Sequence, residues 1–258
     1  MQQPQITCIC NQAIIPLRHE PSETSEMETQ ILFGELYIVL EDDGNWAKVH
    51  LRNDGYEGWI NSKIVTPIDS ELIMQLAEQP FYTVGEKIDF VTVDNQYKMP
   101  IGAGSVLYGD GFKLGKHTYS YPMGNNLPRT AESVVELAKQ FLGSPYLWGG
   151  KSMFGIDCTG LTQVCYAAIG INLPRNASQQ ESVGQHIPFI ADAQPADLAF
   201  FGHEGDDRTT HAGILISQNE IIHASSGVVR IDKVDHYGIF NVDTEQYSHT
   251  LRAIMRQL

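Results

Sequence analysis

The sequence is short of positive charge. Lys and Arg number 17 against 31 Asp and Glu, a formal net charge of −14. A surface of that sign repels phosphate backbones instead of releasing their counterions, so nucleic acid is not an expected partner. The acidic residues are scattered and not gathered into a tail, which is the pattern of a solvated surface. No apolar run approaches the ~18 residues that span a bilayer. The N-terminal MQQPQITCICNQAIIPLRHEP also lacks a basic segment followed by an apolar core. The expectation is a protein with no membrane partner, placed in the cytoplasm, or exported if Met1 is not the native start. Cysteine is scarce as well: Cys8, Cys10, Cys158 and Cys165 form no CxxC pair and no Cys/His set with zinc spacing. With no HExxH either, neither a metal nor a cofactor is expected, and the four thiols read as free.

What the chain does have is apolar content, 42% of 258 residues, enough for more than one modest domain. From Ile31 to Val65, short β-rich runs (Leu36 to Leu40, Trp46 to Leu51, Gly58 to Ile60) alternate with Asp43-Gly44 and Asp54-Gly55 turns. This is the signature of a small antiparallel barrel of hairpins. A looser, Gly-jointed β region runs from Phe81 to Tyr121. The pattern then changes: Thr130 can cap a helix whose apolar residues recur at helical spacing before Gly143, and a second helix starts near Cys158 and stops at Gly170. Strands follow at Asp197 to Gly202, His211 to Ser217, Glu220 to Ser225, and in TLRAIM near the C-terminus. Helices first and an antiparallel sheet second make an α+β layout. The domains read as residues 1–68, 69–128 and 129–258.

Cys158 stands between an aspartate and a threonine where loop residues give way to a helix. A helix N-terminus offers unpaired N–H groups and the positive end of the dipole, which stabilise a thiolate. Gly149, Gly150, Gly155 and Gly160 around it permit close approach of a substrate backbone. Cys165, two turns along on the apolar face, reads as a core residue. A nucleophilic thiol needs a base and a group that orients the base. His211 and His223 lie on neighbouring apolar strands joined near Ser217 to Glu220. A plain two-residue loop of Gln218 and Asn219 would put them on opposite faces of the sheet; an odd loop or a bulge would put both on one face.

The segments SPYLWGGKSMFGIDCTGL, HAGILI and IIHAS, with LPRNASQQ and PADLAFF, resemble the NlpC-type papain-like cysteine peptidases of bacterial cell walls over about residues 130–258. Their Cys-His-His triad corresponds to Cys158, His211 and His223. Thr159 replaces the usual serine after the nucleophile, and Ala196-Asp197-Leu198 replaces Gly-Asp-Leu. RHEPSETSEMETQILFGE and DGYEGWI are similar to the bacterial SH3-like modules of the γ-D-glutamyl-L-diamino-acid endopeptidase branch. The resemblance implies a papain-like catalytic domain, helices packed on an antiparallel sheet, preceded by one or two SH3-like barrels. It also implies hydrolysis of the γ-D-glutamyl bond in muropeptides of the form L-Ala-γ-D-Glu-diamino acid, in murein peptide turnover or recycling. Cys158 would attack, His211 would carry the proton and His223 would orient it, with Tyr146 and the Cys158 N–H facing the oxyanion. Asp157, Tyr56 and Glu20 would hold the free amine of L-alanine, Thr159 and Ser178 the D-glutamate carboxylate, and Trp148 would line the groove. Asp157 can also be read as a helix N-cap, Ser178 as a cap, and Tyr56 and Trp148 as core aromatics.

Two other functions fit the residues: a wall-peptide-binding module that does not cut, and a Cys-His amidase or acyltransferase acting on another acyl group. Thiol reactivity separates the first, and selection for a free N-terminus the second. Oligomeric state is not readable.

Overall fold

The computed structural model describes residues 6–122, 124–203, 205, 207–225 and 227–258. It divides into two compact units, Met1–Asn126 and Leu127–Leu258.

The first unit begins with six strands: β1 (Ile6–Ile9), β2 (Ile14–Arg18), β3 (Met27–Leu32), β4 (Leu36–Asp42), β5 (Trp46–Leu51) and β6 (Glu57–Asn61). They pair antiparallel in the order β1-β4-β5-β6-β2-β3. In β5, Ala47, Val49 and Leu51 are buried while Trp46, Lys48 and His50 are half-exposed, the period of two that a strand imposes. The Asp43 carboxylate accepts the N–H groups of Asn45 and Trp46 at the tight turn where Gly44 takes a φ of +88°. After α1 (Ser70–Glu78), capped by Asp69, come β7 (Phe81–Thr83), β8 (Asp89–Val93), β9 (Tyr97–Ile101), β10 (Val106–Tyr108), β11 (Gly111–Leu114) and β12 (His117–Ser120). These form a two-stranded pair, β10-β7, and a four-stranded sheet, β11-β12-β8-β9. The two β-rich regions share a core: Ile9 and Phe33 pack with Leu72, Val91, Phe112 and Tyr119, and the Phe33 ring lies 5.8 Å from Phe112 and 5.7 Å from Tyr119.

The second unit opens with α2 (Ala131–Gln140), where the Thr130 hydroxyl accepts the Ser133 N–H, and ends that segment with Gly143 at φ +77°. A short pair, β13 (Lys151–Ser152) and β14 (Gly155–Ile156), leads into α3 (Cys158–Ala167), followed by α4 (Ala177–Gln180) and β15 (Gln185–His186). Six strands complete it: β16 (Leu198–Gly202), β17 (His211–Ser217), β18 (Glu220–Ser225), β19 (Val228–Val234), β20 (Gly238–Asn241) and β21 (Gln246–Arg256). The sheet order is β15-β21-β16-β17-β18-β19-β20, and β20 also pairs with β21, so the sheet closes on itself. Register shifts between Phe200 and Phe201 and between Ile239 and Phe240 bend the eleven-residue β21 enough to serve both neighbours. Ala199, Phe201, Leu215, Ile221, Val234, Ile239 and Ile254 form one core of this unit.

The periodicity marks only one stripe of α3 as apolar, yet every residue from Cys158 to Tyr166 is buried. Its polar residues find partners inside: the Thr162 hydroxyl donates to the Thr159 carbonyl and to Gln180, and the Gln163 amide to the Leu173 carbonyl. The helix is the centre of the unit and not a surface element. Among the described residues no helix is long and apolar enough to cross a membrane.

Candidate active site

Cys158 is the first residue of α3 and only 7% exposed. The Asp157 carboxylate caps the helix by accepting the Gly160 N–H at 2.7 Å. Backbone N–H groups of Thr159 and Ala212 point at the sulfur, which places the start of β17, and with it His211, beside the thiol. Burial pushes the thiol pKa up to about 12, with the Asp157 charge adding to it against those two N–H groups and Arg175. Three of the surrounding glycines are needed by the protein's own packing. A side chain at Gly160 would stand 2.1 Å from the Gly150 carbonyl oxygen, one at Gly150 2.4 Å from that of Gly155, and one at Gly155 2.4 Å from Leu147. They let the chain pack against itself around Cys158.

The hairpin between β17 and β18 does have the two-residue loop, Ser217 opposite Glu220, but the register shifts between Leu215 and Ser217. Ile214 then pairs with Ile222, which brings His223 opposite Gly213 and onto the face of His211. Gly213 has no side chain in the way; a Cβ there would come within 3.0 Å of the His223 Cβ. The two imidazoles therefore meet diagonally, His211 Nε2 at 2.7 Å from His223 Nδ1, with rings at 79°. Behind them, His223 Nε2 lies 3.0 Å from Asp232 Oδ2 on β19, and Asp232 is ion-paired to Arg230. The His249 ring on β21 stacks on His211 with centroids 4.3 Å apart, and Phe201 lies at 6.2 Å. Burial, then the neighbouring His223, His249 and His203, holds the His211 pKa well below its ordinary value; burial likewise takes His249 down to about 4.

Asp157 is 5% exposed, and inside the protein both its oxygens accept hydrogen bonds. Oδ1 accepts from Gly160 N–H, from the Thr159 hydroxyl at 3.2 Å and from Arg175 at 3.1 Å, and Oδ2 from Gly149 N–H at 2.9 Å and from the second Arg175 nitrogen. Arg175, 3% exposed, also donates to the Thr159 hydroxyl at 2.5 Å. Asp157 is thus a helix cap and half of a buried, bidentate ion pair. Tyr146 is half-buried; burial, then the nearby Cys158 and Asp157, pushes its phenol pKa up to about 12, so it remains a hydrogen-bond donor at neutral pH. Trp148 is 58% exposed in the loop before β13, beside exposed Leu147; Phe154 is exposed in the turn between β13 and β14, and Ser178 on α4. Tyr56 and Glu20 belong to the first unit. Tyr56 is half-buried beside the turn closed by Asp54, packed on the first barrel's core, and Glu20 is exposed in the loop between β2 and β3.

Sequence reasoning missed Asp232, Arg175 and His249. Arg175 stood inside the quoted LPRNASQQ, where an arginine between Pro174 and Asn176 carried no periodic signal. Asp232 and His249 lie on strands whose charged residues (VVRIDKV, YSHTLRA) mask the alternation. An aspartate two residues before Val234, on the same face, was the one available clue.

Two family models match: that of the NlpC/P60 family over residues 143–246 and that of a bacterial dipeptidyl-peptidase Sh3 domain over residues 17–64. The gamma-D-glutamyl-L-lysine dipeptidyl-peptidase of Bacillus subtilis (strain 168) is 31% identical over 215 residues, covering 77% of this chain and 72% of that protein. The protein of the same name from Bacillus cereus (strain ATCC 10987 / NRS 248) is 29% identical over 231 residues, covering 79% and 68%. The crystal structure of an NlpC/P60 family protein from Bacillus cereus ATCC 10987 has the same fold, with a TM-score of 0.81 at 21% identity over 97% of this chain and 99% of that one.

Proposed function

This chain belongs to the NlpC/P60 family, and from that premise we propose that it is the endopeptidase that cuts the γ-D-glutamyl–L-diamino-acid bond of cell-wall peptides beginning with a free L-alanine. The observation that carries the reading is a cysteine at a buried helix N-terminus beside a hydrogen-bonded pair of histidines. In this reading the sulfur of Cys158 attacks the γ-carbonyl of D-glutamate while its proton passes to His211. The raised thiol pKa and the lowered His211 pKa both favour the uncharged pair at rest, so attack and proton transfer go together. The oxyanion meets the Cys158 N–H and the protonated Tyr146 phenol. His211 then protonates the leaving amine, and water, deprotonated by His211, releases L-Ala-γ-D-Glu from the thioester.

For the substrate's amine the reading keeps Asp157, Tyr56 and Glu20. An ammonium at Asp157 would join or displace donors that already hold that carboxylate. Thr159 and the exposed hydroxyl of Ser178 remain with the D-glutamate carboxylate, and Trp148 with the groove. The SH3-like first barrel is assigned a part in substrate selection, and murein peptide turnover or recycling as the setting.

The test is mass spectrometry of L-Ala-γ-D-Glu-L-Lys and its meso-diaminopimelate counterpart incubated with the protein, with and without iodoacetamide, and with Cys158→Ala. Release of L-Ala-γ-D-Glu that both treatments abolish is the expected result. Intact peptides alongside an unreactive thiol, which the high pKa would also suit, would favour a binding module instead.

A further inference from the structure

The histidine pair ends on a carboxylate that sets the direction of every hydrogen bond before it. Asp232 is 1% exposed. Its Oδ1 accepts the Val242 N–H at 3.1 Å and an Arg230 nitrogen at 2.9 Å, and Oδ2 faces Arg230 Nε at 2.8 Å and His223 Nε2 at 3.0 Å. Burial works against the carboxylate's charge, but His223, Arg230 and the Val242 N–H outweigh it and hold its pKa below the ordinary value. An ionised carboxylate only accepts. The proton between Asp232 and His223 therefore sits on His223 Nε2. A neutral imidazole with a proton on Nε2 has a bare Nδ1, which accepts. The 2.7 Å bond to His211 must then be donated by His211 Nε2, which leaves Nδ1 of His211 as the bare nitrogen.

We propose that Asp232 is a positioning residue that, through His223, fixes His211 as the Nε2–H tautomer and so presents Nδ1 as the base for the Cys158 proton. The inference rests on the reading of Cys158 and His211 as nucleophile and base, and extends it by one residue beyond the triad. The same arrangement serves the next step: an imidazolium at His211 still donates from Nε2 to His223 Nδ1, so His223 does not reorganise when the proton moves. Arg230, tied on its other side to Asp243 at 2.8 Å, holds the carboxylate in place.

Asp232→Asn keeps the shape and reverses the logic. An amide nitrogen in the Oδ1 position would face two donors, Val242 N–H and Arg230. In the Oδ2 position it faces Arg230 Nε and a histidine that can switch, so His223 becomes an acceptor at Nε2 and a donor at Nδ1. His211 would then accept at Nε2 and carry its proton on Nδ1, facing the thiol with a donor.

The experiment is imidazole 15N NMR of the full chain without substrate, for the wild type and Asp232→Asn, with kcat and KM of both on the muropeptide. Expected are protons on Nε2 of His211 and His223 in the wild type, on Nδ1 of both in the variant, and a fall in kcat of about a thousandfold or more at little change in KM. A wild-type His211 with its proton on Nδ1 overturns the proposal, as do unmoved tautomers in the variant or a moved tautomer with unchanged kcat. Should the variant not fold, the wild-type tautomers decide. Because the NMR reading uses no substrate, a failure to cut muropeptides would count against the proposed function and leave the tautomer assignment standing on its own result.

Discussion

At the scale of single residues, the site is built from groups whose charges are balanced inside the protein. Asp157 and Arg175 form an ion pair in which neither partner sees appreciable solvent. Removing one member leaves the other as an uncompensated buried charge, which costs more than the pair itself contributes. Arg175→Met is therefore expected to destabilise the protein by about 3–5 kcal/mol, read as a lower urea midpoint at unchanged slope. A shift below about 1 kcal/mol would mean that water or the Gly149 and Gly160 N–H groups already compensate Asp157. Neither end of this pair announces itself locally. Asp157 before a helical stretch reads as a cap, which it is, but its partner lies 18 residues on, and only folding brings the two within bonding distance.

At the scale of elements, caps and stops are legible in the sequence because they are local: Thr130 and Asp157 start α2 and α3, and Gly143 and Gly170 follow their ends at positive φ. The strands β17 and β18 are equally plain, since their apolar runs are unbroken. β19 is not, because Arg230 and Asp232, which meet each other and His223, and the exposed Lys233 interrupt its apolar pattern. The bulge between Leu215 and Ser217 is invisible for a different reason: it is a property of the pairing, and nothing in ILIS distinguishes bulged from regular. Its consequence can be tested at Gly213. A methyl group there would meet Ile221 Cδ1 at 2.6 Å and the His223 Cβ at 3.0 Å. Gly213→Ala should cost about 1–3 kcal/mol through overpacking and lower kcat more than KM by spreading the two imidazoles. Unchanged kinetics in a destabilised variant would show that the hairpin absorbs the methyl without moving the pair.

At the scale of the whole molecule, burial of histidines links stability to pH. His211 and His249 both titrate lower in the folded chain than in the unfolded one, where they bind protons near pH 6.5. Below that pH the unfolded chain takes up protons that the folded chain refuses, so stability present at and above about pH 6.5 falls as pH drops, for His249 down to about 4. Urea midpoints should decline between pH 7 and 4.5, and His249→Phe, which keeps a ring stacked on His211, should make the decline shallower. An equal slope in the variant would assign the acid sensitivity elsewhere. The proposed selection for a free amine is likewise read on the whole protein. Acetylating the substrate's alanine should raise the barrier in kcat/KM by about 3 kcal/mol, the cost of leaving a partnered charge unpaired; equal rates for free and blocked peptides would remove that selection from the proposed function.

By itself the sequence determined the α+β class and the family and singled out Cys158 and the two histidines, because these rest on contiguous motifs and on periodicities that a reader can follow within ten or twenty residues. Only the tertiary structure decided that His211 and His223 share a face, that Asp157 is locked to Arg175, that the glycines pack the chain on itself, and that the histidine chain ends on Asp232. Each of those is a meeting of residues from separate elements, fixed by strand register, sheet closure and the burial of charge.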